Sequence, residues 1–312
     1  MPDLILHHYA SSPFSEKARL LLGHKKLAWK SVIIPPVMPK PQLVALTGGY
    51  RRAPVLQIGA DIYCDTALVA DVLEHLQPEP PLYPEPEKGL SRILAQWADN
   101  QLFWAAMAYS LQPKGAAEVF AGAPPEAAKA FAEDRAKMSA GNMARLRPGD
   151  AAAAYKSYLR RLSDMLDDKP FLLGEVPCIA DFAAYHGLWY TRRVHAVKDI
   201  LQLTPAVLDW MDSIQAIGHG SFEKITAADA IAAAQAATPH TLLADSTFQD
   251  EHGIPLGSAV TVRAESFGPE ETAGTLVAAT RTHYTLARQA DGAGTVHVHF
   301  PRIGYVLKAA RD

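Results

Sequence analysis

The run Ser11-Ser12-Pro13-Phe14-Ser15-Glu16-Lys17-Ala18-Arg19-Leu20-Leu21-Leu22 follows a short apolar stretch and reads as the opening of a helix. Serine caps free N–H groups and proline suits the first helical position. A hydroxyl placed there sits beside unpaired N–H groups and the positive end of the helix dipole, where an anion is favoured. A bound thiol resting against Ser12 would lose its proton more readily, because an O–H donor and the helix end both stabilise the thiolate; free thiols titrate near ~8.5. Ser11 is a second hydroxyl within reach of the same place. From these residues alone, the plain alternative is that Ser12 does nothing more than cap the helix.

The elements that must position this hydroxyl are legible as an alternation of strand-like and helix-like segments, which predicts a mixed α/β unit over residues 1–80. Leu4 to Tyr9 suits a buried strand, and Gly23 suits the stop of the helix that Ser12-Pro13 opens. Lys30 to Ile34 carries β-branched residues and is broken by Pro35-Pro36; Gln42 to Leu46 reads as a short helix before Gly48-Gly49. Pro54 to Ile58, a turn at Gly59-Ala60-Asp61, and Ile62 to Cys64 read as a hairpin, after which Thr66 to Leu76 closes the unit as a helix.

Gln77 to Glu87 holds five prolines among mostly polar residues, the composition of a linker, so the first domain boundary is placed there. Residues 88–236 read as an all-helical domain rich in alanine and leucine, with breaks at Ala123-Pro124-Pro125, Pro148-Gly149-Asp150 and Gly218-His219-Gly220. After Thr238-Pro239 the pattern changes to alternating segments separated by glycine-rich turns, which predicts a small antiparallel β-module over residues 240–312.

Taken together, these residues resemble the cytosolic glutathione transferase family, over roughly residues 4 to 236. Omega-type members have Cys-Pro-Phe where this chain has Ser12-Pro13-Phe14, and tau- and zeta-type members place serine at the Ser12 position. The resemblance implies a thioredoxin-like glutathione-binding domain followed by an all-helical one, with Ser12 as the catalytic hydroxyl and Ser11 as its fallback. Serine argues against mixed-disulfide chemistry, since a hydroxyl cannot resolve a disulfide. Arg52-Ala53-Pro54-Val55-Leu56 is similar to the family's G-K-V-P-V-L stretch, which implies a cis bond before Pro54 and backbone pairing of Ala53 with the cysteinyl unit of glutathione, with Arg52 in place of the usual lysine. Asp65-Thr66 is similar to the family's Glu-Ser pair. Asp65 would hold the α-ammonium of the γ-glutamyl group and Thr66 its α-carboxylate, although the isolated dipeptide reads as a helix cap. Lys40, fourteen residues before Pro54, matches a lysine that binds the glycyl carboxylate in omega-type members. Phe14 completes the implied glutathione-binding set.

A fourth match, Gly174-Glu175-Val176-Pro177-Cys178-Ile179-Ala180-Asp181-Phe182, corresponds to a folding motif in which Ser or Thr and Asp cap a core helix. Cysteine caps poorly, so Asp181 is expected to carry more of the task than usual. The acceptor pocket is expected between the domains, with Tyr9, Trp104, Met107 and Tyr109 as candidate walls, and plain core packing as the alternative for each. In the C-terminal module His297 and His299 alternate along one strand, with His283 nearby; an exposed strand face is the ordinary reading, and no metal site is expected.

Bulk properties exclude several classes. Apolar residues make up 49% and charged residues 20% of the 312, which excludes a disordered chain and supplies more than one core. A net charge of −3 without charge blocks gives phosphate backbones no broad attraction, so nucleic acid is not an expected partner. Cys64 and Cys178 form no C-x-x-C pair, and no apolar run spans a bilayer; neither a disulfide framework nor membrane insertion is expected, and a cytoplasmic location follows as the expectation. The leading reading is an enzyme that activates glutathione with Ser12 and conjugates it to a hydrophobic electrophile, in keeping with detoxification and with the homodimer the resemblance implies. Two others stand beside it: a glutathione-binding or protein-interaction module with little catalysis, and a glutathione-dependent isomerase or reductase. The latter is weakened by Pro13-Phe14, where zeta-type proteins have Ser-Cys.

Overall fold

The computed structural model describes residues 3–139, 146–240, 242–243, 245 and 247–310. Its first unit follows the expected order: β1 (Leu4–His8), α1 (Pro13–His24), β2 (Trp29–Ile33), α2 (Pro41–Thr47), β3 (Val55–Ile58), β4 (Asp61–Cys64) and α3 (Thr66–Leu76). Strand β1 lies parallel to β2 and antiparallel to β3, which forms the hairpin with β4. Alternation sends successive side chains to opposite faces. Leu4, Leu6, Leu56 and Tyr63 meet α1, α3 and the helical domain, while Ile5, Val32, Val55 and Ile62 face the other way. This is the thioredoxin-like half.

The helical half comprises α4 (Lys88–Trp97), a π-helical turn (Ala98–Leu102), α5 (Phe103–Ser110), α6 (Pro113–Val119), α7 (Pro125–Ser139), α8 (Pro148–Met165), α9 (Ile179–Arg193), a 3₁₀ segment (Lys198–Leu203) and α10 (Pro205–Ala216). Proline occupies the first position of α1, α2, α6, α7, α8 and α10. Its missing N–H costs nothing there and its fixed φ suits the helix, which is why these starts are readable from sequence. No helix among the described residues is long and apolar enough to cross a membrane.

Two features depart from expectation. The span expected to be helical throughout contains a strand, β5 (Phe222–Lys224), parallel to β2, with Phe222 stacked on Trp29 at 4.6 Å between ring centroids. The loop before it runs hard against α1: a Cβ on Gly23 would lie 2.1 Å from the Gly218 carbonyl oxygen. Helix α11 (Ala227–Gln235), opened by a reciprocal Thr226–Asp229 cap, then packs on the sheet beside α2 and away from the bundle.

The second departure concerns the C-terminal strands. β6 (Ala259–Ala264), β7 (Thr272–Ala279), β8 (His283–Ala290), β9 (Gly294–Pro301) and β10 (Tyr305–Ala309) pair antiparallel among themselves, as expected. They are not a free-standing module, because β9 pairs parallel with β4. Among the described residues, ten strands thus form one sheet, in the order β10-β6-β7-β8-β9-β4-β3-β1-β2-β5. The histidines expected on an exposed face sit at this join. His299 and His283 are buried and His297 is half-buried. His299 donates from Nε2 to Asp61 Oδ1 at 2.8 Å and accepts at Nδ1 from Thr285 Oγ1 at 3.0 Å, while its ring stacks on Tyr63. Among the described residues, no group of three metal-ligating side chains forms.

Asp181, fully buried at the start of α9, accepts from the N–H of Cys178 through Oδ2 and from Leu172 N–H and Trp210 Nε1–H through Oδ1, each at 2.9 Å. It therefore joins the helix start to the preceding loop and to α10. Removing it orphans three buried donors, so Asp181→Ala is expected to lower stability by about 2–4 kcal/mol. Urea unfolding measures this, and a loss below ~1 kcal/mol would show that the three bonds are not coupled to folding.

Candidate functional site

A cavity of about 1000 Å³ opens between the two halves. Its floor is the β1–α1 turn, the starts of α2 and α3, and the entry to β3; α5 and α7 form the facing wall. Of the residues singled out from sequence, Tyr9, Ser11, Ser12, Phe14, Lys40, Arg52, Ala53, Pro54, Asp65, Thr66, Trp104 and Met107 all line it. Tyr109 does not. Its half-buried ring packs against Tyr155, with centroids 5.6 Å apart, at the edge of the helical core. Residues 107 and 109 are two apart on α5 and so point to different sides of the helix, whereas Trp104 and Met107 are three apart and share a face.

Ser12 caps α1 and is buried; its Oγ accepts from Ser15 N–H at 3.2 Å. A hydroxyl that accepts in this way keeps its own hydrogen free to donate. Ser11, one residue earlier, is exposed at the cavity rim. The Ala53–Pro54 bond is cis, and among the described residues the backbone N–H and C=O of Ala53 have no hydrogen-bond partner. Thr66 opens α3 with its hydroxyl accepting from Lys17 Nζ at 3.3 Å.

Lys40 is only 5% exposed; its Nζ donates to the Arg51 carbonyl at 3.0 Å and stands 5.7 Å from the Tyr9 ring centroid. Among the described residues no carboxylate contacts it. Burial, helped by the nearby Arg135 and Arg51 and only partly offset by the Asp134 and Glu270 carboxylates, pulls its pKa down to about 8. Asp65 is more committed than the sequence suggested. Oδ1 accepts from Ala67 N–H at 3.0 Å, while Oδ2 accepts from the Tyr305 hydroxyl at 3.0 Å and lies 3.4 Å from Arg52 Nη2. Arg52 also donates to the Tyr305 oxygen, and its guanidinium lies 5.1 Å and 5.3 Å from the ring centroids of Tyr50 and Tyr305. A ligand ammonium at Asp65 therefore competes with Arg52 for one oxygen.

Two family models match the chain: the glutathione S-transferase N-terminal domain over residues 6–81 and the glutathione S-transferase C-terminal domain over residues 115–213. A crystal structure of a GST-like protein from Pseudomonas syringae is 38% identical, covers 99% of this chain and 100% of its own, and superposes with a TM-score of 0.83. The chain belongs to the glutathione S-transferase family. FtsZ-localized protein A of Caulobacter vibrioides is 24% identical over 184 residues, covering 57% of this chain and 73% of that protein. The solved structure of FzlA from C. crescentus, 23% identical over 69% of this chain and 88% of its own, shares the fold with a TM-score of 0.50.

Membership in this family makes glutathione the co-substrate to test against the cavity, and the residues fit it: a hydroxyl at a helix start and, among the described residues, an unpaired backbone amide and carbonyl at Ala53 and a buried amine with no carboxylate in contact. Sequence reasoning missed two groups here. Lys17, buried in α1, bonds Asp99 Oδ2 at 2.6 Å, and His186 Nε2 donates to Asp99 Oδ1 at 3.0 Å. Burial works against the Asp99 carboxylate, but Lys17 and His186 outweigh it and hold its pKa below the usual range. Asp99 lies on the π-helical turn and lines the cavity next to Thr66, a placement that no sequence spacing signals. The second group, Tyr305 with Ser266 and Phe267, lies beyond residue 213, outside both family models.

The isolation of Lys40 is directly measurable. After reductive ¹³C-methylation, one dimethyl-lysine signal, absent in Lys40→Arg, is expected to titrate near pH 8, well below the ordinary ~10.4. A set of signals all titrating above pH ~10 contradicts the burial of this amine.

Proposed function

We propose that this chain binds glutathione along the β3 entry and the start of α3, lowers the pKa of its thiol with the Ser12 hydroxyl, and conjugates it to a hydrophobic electrophile. The observation that carries this reading is the free hydrogen of Ser12 Oγ at the positive end of α1, facing the same cavity as Ala53, Thr66 and Lys40. Ala53 offers a donor and an acceptor for the cysteinyl backbone, in the manner of an added strand. Thr66 N–H and hydroxyl, at the start of α3, receive the γ-glutamyl carboxylate. Lys40 receives the glycyl carboxylate, which supplies the anion that its burial otherwise lacks.

A second reading keeps the ligand without the chemistry: a glutathione-binding or interaction module. The name of the Caulobacter relative, FtsZ-localized protein A, favours it to the extent that this fold is used there by a protein named for its localisation. Ultraviolet titration of bound glutathione separates the two. In the parent the bound thiol is expected to ionise at least one pH unit below the free thiol, and Ser12→Ala to return it toward the free value with a roughly tenfold or greater loss of kcat/KM. Binding without thiolate formation or turnover favours the module, and the absence of binding removes both readings.

Lys40 adds a pH signature. An anion at its amine favours the charged form, so the lysine pKa rises in the complex and a proton is taken up on binding. Affinity for S-methylglutathione, which has no titrating thiol, is therefore expected to be level below pH 8 and to fall as pH rises above about 8. Lys40→Met should weaken binding and flatten that profile; a parent profile already flat from pH 7 to 9 would rule out Lys40 as the carboxylate site.

A further inference from the structure

The third side of the cavity is closed by the loop between β6 and β7, residues 265–271, whose Ser266 and Phe267 line it. This loop is clamped from both halves. Gly268 N–H donates to the Met138 carbonyl of α7 at 2.7 Å. Glu270 pairs with Arg51, whose guanidinium also bonds Asp134 of α7 at 2.5 Å. Where the loop enters β7, a Cβ on Gly49 would lie 2.2 Å from the Glu271 carbonyl oxygen, and Thr272 Oγ1 donates to the Thr47 carbonyl at 3.0 Å. The loop backbone is thus held against α2 and α7, and Phe267 is presented half-buried to the cleft.

The rings beside it form an unbroken series. Phe14, two residues after Ser12, meets Phe103 at 4.7 Å between centroids; Phe103 meets Trp104 at 4.9 Å; Trp104 meets Phe267 at 5.1 Å, edge to face. Such a surface rewards a ring laid on it beyond the gain from burial alone. We infer that Phe267 is a specificity-determining residue of the acceptor site, and that the added strands exist at this cleft to complete an aromatic wall selecting electrophiles that carry an aromatic ring. The inference rests on the reading of the cavity as a glutathione and acceptor site. It adds that residues outside the family's two domains choose the acceptor.

Two inhibitors test it without turnover. S-benzylglutathione and S-methylglutathione share the tripeptide and differ in the group sent toward the wall. By calorimetry the parent is expected to prefer the benzyl compound by about tenfold or more, and Phe267→Ala to cut that preference about fivefold while leaving affinity for S-methylglutathione within about twofold. Phe267→Trp should keep the preference, and Phe267→Leu, which fills the space without a ring, should lose most of it. If turnover is present, benzyl and methyl isothiocyanate report the same ratio: the glutathione sulfur adds to the central carbon, the nitrogen takes the proton, and nothing leaves. Binding of both inhibitors with a preference untouched in Phe267→Ala overturns the inference and leaves the glutathione site standing. Failure of the parent to bind either one overturns both.

Discussion

The outer edge of β4 is the constraint on which the rest of the structure turns. An edge strand offers a row of unpaired backbone donors and acceptors, and a protein has to cover, charge or pair it. Here β9 takes that edge in register, Asp61 opposite His297 and Tyr63 opposite His299, and the buried His299–Asp61 bond fixes the join from within. Once β9 is set, β8, β7, β6 and β10 follow by antiparallel pairing. That chain of registers brings Tyr305 to Asp65 and Phe267 to Trp104.

Charge compensation then distinguishes the parts of the cavity. Lys17 is matched by Asp99, Arg52 by Asp65, and Arg51 by Asp134 and Glu270. A buried charge left alone is costly, so these pairs are as much a condition of folding as a feature of the site. Lys40, among the described residues, has no carboxylate in contact, and its burial, only partly offset by the more distant Asp134 and Glu270, holds its pKa below the ordinary value. On the proposed reading, a ligand carboxylate would be its contact partner. The same accounting explains why Asp65 is a guarded position: Arg52 and Tyr305 already hold the oxygen that a ligand ammonium would seek.

Fold and chemistry separate at this point. The glutathione S-transferase family fixes the architecture, whereas the proposed conjugation would depend on the hydroxyl of Ser12 and on what the aromatic wall admits. The C-terminal strands reach two places at the cleft, through Tyr305 at Asp65 and Phe267 at Trp104. The likeness to the Pseudomonas syringae GST-like protein, which covers 99% of this chain, extends over the C-terminal strands as well as the two family domains.

The sequence by itself determined what is local. Ser12-Pro13 had to open a helix because a capping hydroxyl and a fixed φ act within one turn, and the fixed φ acts alike at Pro41, Pro113, Pro125, Pro148 and Pro205. The continuous apolar run at Leu4–His8 dictated a strand buried on both faces, and Asp181 three residues after Cys178 dictated a cap. Tertiary structure alone decided what depends on pairing across long separations. Nothing in Phe222–Lys224 marks it as a partner of β2; that choice required α1 to yield space at Gly23. Helical phase turns Tyr109 toward Tyr155 and away from the cavity, and Asp99 and Phe267 carry no motif. Their roles come from strand register and helix crossing, which are set by the burial of whole faces at once and are not encoded in any short stretch of residues.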